Sequence, residues 1–183
     1  MRTLATLLCL ALLPAAARAA EVADVQVPDT ATAGGQPLVL NGAGLRKKFI
    51  IKVYVGALYL PSRSAEPAAI LASDAPWRVT MTFKRDVPHE KIVEAFRDGF
   101  EKNSPGEFAQ HEASLKIWEA ILQDLKEGQA LIVTYLPGTG TTLEAPGGKV
   151  ATVPGQPFGT AILRNWLGPH PADEGLKKAL LGQ

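Results

Sequence analysis

The stretch NGAGLRKKFIIKVYVGALYLP, residues 41–61, places three consecutive cations before an almost wholly apolar segment that contains two tyrosines. These side chains are Arg46, Lys47, Lys48, Tyr54 and Tyr59. A guanidinium offers a planar fork of donors that stays charged when partly buried, and a phenol can add one more hydrogen bond. Together they could recognise an anion. The alternative is that the cations lie in water, as charged side chains in turns ordinarily do.

Other catalytic and metal-binding patterns are missing from the sequence. It contains no glycine-rich phosphate loop and no GxSxG nucleophile motif, and its single cysteine falls within the first nineteen residues. The histidines His89, His111 and His170 have neither close spacing nor carboxylate-rich surroundings. We therefore expect no metal site and no cofactor.

Residues 1–19, MRTLATLLCLALLPAAARA, have the pattern of a secretory leader. A cationic start precedes an apolar run, and a proline and small residues suit cleavage near Ala19. The apolar run, 4–13, is shorter than the ~20 residues that span a bilayer. We expect an exported chain whose residues 20–183 form one domain without a transmembrane segment.

Charge and composition narrow the class of protein further. Without Arg2 and Arg18, 17 Lys and Arg face 18 Asp and Glu, for a net charge of −1. This balance does not favour nucleic-acid binding. A hydrophobic content of 46% in 183 residues suffices for one core, and the lack of cysteine after the leader leaves stability to packing. No feature specifies an oligomeric state.

The central segment 36–61 has the pattern of a β-hairpin, with arms at 36–49 and 49–61. In the second arm the alternate residues from Phe49 to Tyr59 form a nearly all-apolar face, which we expect to pack on the core, and the other face is mixed. Gly42 and Gly44 are interpreted as marking a tight turn.

Further strands are predicted on both sides of this hairpin. Residues 20–35 suggest a short edge strand followed by a loop, and 77–87, WRVTMTFKRDV, alternate with great regularity. Residues 129–155 return to strand character, with turns at Pro137-Gly138 and at 146–148.

Helical patterns occupy the remaining segments. We expect a short connecting helix within 62–76, longer amphipathic helices over 89–103 and 111–128, and two closing helices over 158–168 and 172–182. Asp86 is expected to cap the first long helix, with Pro88 in its first turn. The chain order of strands, helices, strands and helices predicts an α+β domain. Its helices are expected to cover one face of a mainly antiparallel sheet.

Several of these segments, in this order, resemble the chalcone isomerase-like family, particularly its bacterial exported members. The segments are LNGAGLR, FIIKVYVGALYL, VTMTF, HEKIVEAF, AILRNWLG and LKKALLG, which span about residues 36–182. The resemblance implies an open-faced sandwich with a ligand cleft between the sheet and a layer of helices, and a periplasmic location. The plant enzymes of the family close a chalcone into a flavanone, whereas a related branch binds fatty acids without catalysis.

The resemblance also implies roles for individual residues. Arg46 falls where the family carries its ligand-facing arginine, and Tyr54 or Tyr59 could supply the tyrosine hydroxyl that the non-catalytic branch places beside it. Either tyrosine could instead merely pack. On one straight strand Arg46 and Tyr54 would lie about 26 Å apart, so a shared site requires the chain to bend near residues 46–48.

The isomerase pattern is only partly matched on the first long helix. Lys91 corresponds to a lysine that lines the isomerase cleft, but Pro88 and Ala95 stand where the enzymes have a ligand-binding tyrosine and asparagine. Each missing donor to a developing oxyanion commonly costs ~100-fold or more in rate. Efficient isomerase activity is therefore not expected.

We therefore predict a non-enzymatic binding protein whose cleft takes a small amphipathic anion such as a fatty acid. Two alternatives stay open: a weak lyase or isomerase that acts on an unsaturated carbonyl compound, with Arg46 as electrophile, and an envelope interaction protein without a ligand. In the second alternative, bulky side chains would fill the cleft, namely Phe96, Phe100 and Trp118.

Overall fold

The computed structural model describes residues 19–183. The predicted leader lies outside the described residues except for Ala19. The strands are β1 (Ala19–Val22), β2 (Val25–Pro28), β3 (Thr30–Ala33), β4 (Gln36–Lys48), β5 (Ile51–Leu60), β6 (Trp77–Phe83), β7 (Ala130–Leu136), β8 (Gly140–Ala145) and β9 (Lys149–Val153). The helices are α1 (Pro67–Ala72), α2 (His89–Asn103), α3 (Phe108–Glu119), α4 (Gln156–Leu167) and α5 (Glu174–Leu180).

Strands β3 to β9 form one antiparallel sheet in chain order, each paired with the next. The main apolar core lies between one face of this sheet and the helices, where Trp118, Phe158 and Trp166 are buried. A smaller cluster on the other face includes Val27 of the separate β1–β2 hairpin. The predicted α+β fold, an antiparallel sheet with helices layered on one face, is confirmed.

The interpretation of Gly42 and Gly44 as a turn is wrong, because both lie inside β4, where α5 crosses the sheet. A Cβ atom on Gly42 would overlap the backbone oxygen of Ala179 and lie 2.8 Å from that of Leu180. At Gly44 a Cβ would lie 2.5 Å from the Cβ of Ala179. These glycines let a helix backbone rest directly on a strand.

From Val55 onward the nearly all-apolar face of the second hairpin arm is buried as predicted, but the mixed face is buried as well. Val55, Ala57 and Tyr59 belong to the smaller cluster, whereas Tyr54 and Leu58 on the mixed face belong to the main core. The reason is that both faces of β5 are covered, one by helices and the other by the β1–β2 hairpin. The mixed face therefore carries the larger core.

The first long helix has the predicted bounds, but its predicted cap is wrong because loop groups take other partners. Asp86 does not cap α2: its carboxylate accepts hydrogen bonds from the Lys126 ammonium, at 2.8 Å, and the Glu127 amide, at 3.0 Å. The residue before α2 is Pro88, and the His89 amide donates to Asp124 instead. These bonds lower the pKa of Asp86.

The second long helix begins earlier and ends earlier than the pattern at 111–128 predicted. Helix α3 stops at Glu119, and Leu125 then pairs with Val87 through two backbone hydrogen bonds of 2.8 and 2.9 Å. Leu125 is still buried, so its apolar pattern reflected the core and not a helix. Residues 19–35 likewise form three short strands in place of the one predicted.

Candidate functional site

A cavity of 440 Å³ lies where the ends of β4, β5 and β6 meet helices α2 and α4. Buried apolar side chains line part of its wall: Met81, Phe83, Ile92, Phe96 and Leu131. Of the three bulky residues considered as possible cleft fillers, only Phe96 lines the cavity. Phe100 and Trp118 pack against Phe158, with ring centroids 6.2 and 5.1 Å from its ring. The cleft therefore remains open.

The β4–β5 hairpin brings Arg46 and Tyr54 together at this cavity. They are directly paired across the two strands, and the guanidinium carbon of Arg46 lies 5.6 Å from the centre of the Tyr54 ring. The required bend occurs at Phe49 and Ile50, just beyond the predicted position. Because the chain folds back at this turn, Arg46 and Tyr54 are neighbours on two paired strands and are not separated along a single strand.

The Arg46 guanidinium is left without an anionic partner in the described chain. Its Nε atom is buried and has no hydrogen-bond partner within residues 19–183, and no carboxylate of those residues forms a salt bridge with it. Stacking on the Tyr54 ring provides a cation–π contact but no acceptor. A buried, unsatisfied cationic donor is costly, so an anion entering the cavity would stabilise it.

The Tyr54 hydroxyl is oriented by a second buried aromatic side chain. The indole Nε1 of Trp166 donates a 2.9 Å hydrogen bond to the Tyr54 oxygen. Burial raises the pKa of Tyr54, although Arg46 and the Trp166 hydrogen bond act in the opposite direction. The phenol therefore stays protonated at neutral pH, and its own hydrogen can be donated into the cavity.

Asn165 contributes a second polar group whose hydrogen bonding is incomplete. It lines the cavity from α4, and its buried Oδ1 has no partner in the part of the chain that the structure describes. Gly99 makes room for it, because a Cβ there would lie 2.7 Å from the Asn165 Cγ. Trp166 and Asn165 were not predicted as site residues. The available signal was a polar residue beside a tryptophan within the apolar helix pattern AILRNWL.

Cationic side chains outnumber acidic ones in the lining of the cavity. Its acidic residues are each paired with a lysine: Asp86 with Lys126, Glu94 with Lys91 and Asp98 with Lys102. Among the described residues, the rim cations Lys48 and Arg85 have no salt-bridge partner. The field at the opening therefore favours an anionic ligand.

The structure places the other two predicted binding residues differently. Lys91 lines the cavity, but it is exposed and its ammonium is 2.5 Å from the Glu94 carboxylate, a contact that raises the pKa of Lys91. Tyr59 does not line the cavity: it lies on the opposite face of the sheet and donates to the Pro28 carbonyl at 3.0 Å. Tyr54 is thus the tyrosine that accompanies Arg46.

His89 has closer carboxylate neighbours than the sequence suggested. Its Nδ1 lies 3.4 Å from Glu90 and 3.8 Å from Asp124. The three side chains are at the surface, outside the Arg46 site, where acidic groups commonly cluster without a metal. The expectation of no metal stays a prediction. No helix within residues 19–183 has the length and apolar character needed to cross a membrane.

Comparisons with known proteins bear on the fold and the family. None of the functionally curated proteins matches the chain in sequence. Among solved structures, a fatty-acid binding protein of Arabidopsis thaliana superposes with a TM-score of 0.67 over 86% of this chain and 92% of that chain, at 15% identity. At this identity the likeness concerns the fold alone. A family described as chalcone isomerase-like matches residues 19–182. The chain therefore belongs to the chalcone isomerase-like family.

Proposed function

We propose that this protein is an exported, periplasmic and non-enzymatic binder of an amphipathic anion, such as a fatty acid. The observation that carries the proposal is the unpaired Arg46 guanidinium beside the protonated Tyr54 hydroxyl, at a cavity partly walled by apolar side chains. The Arabidopsis protein of the same fold is a fatty-acid binding protein, which agrees with this choice of ligand.

Arg46 and Tyr54 are proposed to hold the ligand's head group. A carboxylate can accept two parallel hydrogen bonds from a guanidinium and a third from a phenol. Both donors come from rigid paired strands, so little conformational freedom is lost on binding. The cationic rim formed with Lys48 and Arg85 would attract the same charge.

The apolar wall of the cavity is proposed to hold the ligand's tail. Each buried CH₂ contributes ~0.8 kcal/mol, so a long chain supplies more affinity than one ion pair does. Arg46 would then mainly fix the orientation of the ligand, with its head group at β4 and β5. This division of roles requires a ligand that has both a charged end and an apolar end.

The lining of the cavity favours binding over the isomerase alternative. Pro88 and Ala95 both line it, so these positions offer neither a hydroxyl nor an amide to a developing oxyanion. The raised pKa of Tyr54 also makes its hydroxyl a poor base at neutral pH, since deprotonation would require a pH above the usual tyrosine value of ~10. The hydroxyl is better suited to donating a hydrogen bond.

Calorimetric titration with saturated fatty acids of increasing length, beside alcohols of the same lengths, tests the proposal. We expect affinity to rise about fourfold for each added CH₂ until the cavity is filled. Each acid should bind more tightly than its alcohol. Equal affinities for acid and alcohol, or no binding of either, would show that the proposed function is wrong.

The two tyrosines of β5 provide a matched pair for testing the hydroxyl contact. Tyr54→Phe should weaken fatty-acid binding about tenfold or more, because one hydrogen bond to a charged carboxylate is lost. It should also lower the free energy of unfolding by about 1–3 kcal/mol, since the Trp166 indole loses its acceptor.

Tyr59→Phe is the control, because this hydroxyl lies on the other face of the sheet. Fatty-acid affinity should remain at the wild-type value in this variant. A similar loss of affinity in both variants would show that the effect does not come from a contact with the ligand. Titration calorimetry and urea unfolding measure the two quantities.

Export is the remaining element of the proposal. The leader pattern predicts cleavage near Ala19. The amino-terminal sequence of the protein purified from its host's periplasmic fraction should begin at or close to Ala20. Recovery of the chain with an intact leader from the cytoplasm would refute export, without affecting the ligand site.

A further inference from the structure

The turn between β4 and β5 carries the two most exposed large hydrophobic side chains within residues 19–183. Phe49 is 91% exposed and Ile50 is 94% exposed, and the next residue, Ile51, is 44% exposed. We call residues 47–52 the hairpin tip. Nothing in the described chain packs on its two central side chains. Their apolar surface therefore serves no purpose within this fold.

The backbone of the turn makes the choice of these residues more informative. Phe49 has a φ angle of +57°, in the left-handed region that favours glycine. Two-residue hairpin turns with a positive φ at the first central residue usually carry glycine at that position, because glycine adopts such angles without strain. A Phe-Ile pair is unfavourable for folding and for solubility. A residue choice that opposes local preference indicates an external function.

The charge around the hairpin tip identifies the kind of partner. Lys47, Lys48 and Lys52 are all exposed beside the apolar pair, and none forms a salt bridge within residues 19–183. Apolar side chains that project among free lysines fit the interface of an anionic bilayer: the apolar groups enter the acyl boundary while the lysines meet lipid head groups.

The hairpin tip is also continuous with the ligand cavity. Lys48 and Ile51 line the cavity together with Arg46, two residues before Lys48 on the same strand. Contact of the tip with a membrane would therefore bring the cavity's opening next to the lipid surface. An amphipathic ligand could then pass between bilayer and cavity without full exposure of its tail to water.

We propose that the hairpin tip inserts into the surface of an anionic lipid bilayer, and that the cavity exchanges its ligand there. The identity of the cargo rests on the proposed function, but the membrane contact does not. The contact can therefore be measured without any fatty acid present. Phe49 and Ile50 supply the insertion, and the three lysines supply the preference for negative charge.

Co-sedimentation of the purified protein with lipid vesicles tests the contact. We expect binding to vesicles of phosphatidylcholine with phosphatidylglycerol, and much weaker binding to phosphatidylcholine alone. The double variant Phe49→Asn, Ile50→Gly should bind the anionic vesicles roughly tenfold less tightly or worse, because it loses two inserting side chains. Since asparagine tolerates the positive φ at residue 49 and glycine adopts a φ of either sign, this variant should keep its fold.

Three further variants separate the apolar and electrostatic contributions. Lys47→Gln and Lys52→Gln should each weaken binding about fivefold, and added salt should weaken wild-type binding as well. Ile117→Gln on α3 removes a half-exposed hydrophobic side chain away from the hairpin tip and should leave vesicle binding unchanged.

Three results would overturn the proposal. The first is equal binding of the wild type to neutral and anionic vesicles. The second is an affinity of the Asn-Gly variant for anionic vesicles equal to that of the wild type. The third is self-association of the wild type in solution that the Asn-Gly variant abolishes. The last would assign the hairpin tip to a second copy of the chain. Fatty-acid titration of the Asn-Gly variant in solution keeps the proposals separate, because its affinity should match the wild type whatever the vesicles show.

Discussion

Replacing Arg46 with methionine is expected to weaken fatty-acid binding roughly 10-fold to 100-fold, because hydrogen bonds to a charged group contribute ~1.5–3 kcal/mol. Methionine preserves much of the side chain's length and apolar contact while removing its charge. The variant should bind the alcohol of the same chain length about as tightly as the wild type does. Arg46→Met should therefore abolish the preference for acid over alcohol, as measured by titration calorimetry.

Lys47→Met is the matched control for this prediction. It removes the same charge at the adjacent residue, but Lys47 is exposed and does not line the cavity. Its fatty-acid affinity should change only slightly, because surface charges are well screened. Equal losses in the two variants would mean that overall charge, and not a contact with Arg46, governs binding.

Gly42→Ala is expected to lower the free energy of unfolding by about 3 kcal/mol, at the upper end of the usual cost of overpacking. The new Cβ would meet backbone oxygens of Ala179 and Leu180, which cannot rotate away as a side chain can. Helix α5 would have to move off β4. That movement would also break the 2.7 Å hydrogen bond from the Asn41 amide to the Leu180 carbonyl.

Gly138→Ala separates this clash from the ordinary cost of replacing glycine. Gly138 has a φ of +75° and open space around its Cα, so alanine there should cost about 1–2 kcal/mol from backbone strain alone. Urea unfolding of the two variants measures the difference. A Gly42→Ala protein no less stable than Gly138→Ala would contradict the close packing of α5 on β4.

Local patterns in the sequence predicted most of the strands and helices because those patterns have local causes. The alternation in 77–87 corresponds to β6, whose residues alternate between buried and half-buried positions. The turns at Pro137-Gly138 and 146–148 lie where proline and glycine require them. The closing helices also lie where their apolar spacing placed them.

The errors share a different cause, because each depended on a partner far away in the chain. Glycine is common in turns, and only the close approach of α5 explains why residue 42 is a glycine inside a strand. Asp86 has the position of a cap, yet Lys126 and Glu127 engage its carboxylate. Residue type restricts the possible roles of a side chain, and tertiary contacts decide among them.

The site was only partly predictable, because its residues also meet through contacts between distant parts of the chain. Arg46 and Tyr54 could be proposed from a resemblance, and a hairpin then brought them together. Tyr54 and Tyr59 could not be separated by type, since the choice depends on which face of β5 covers the cavity. Trp166 joined the site through a hydrogen bond across 112 positions of the chain, which no local pattern contains.

Mass spectrometry of the organic extract from purified protein tests the central claim most directly. Wild-type protein and an Arg46→Ala variant would be prepared identically and extracted side by side. The account predicts co-purifying fatty acid at a near-stoichiometric level in the wild type and a clear reduction in the variant. If neither preparation contained fatty acid, and neither took it up when it was added, the proposal of a fatty-acid binding protein would be wrong.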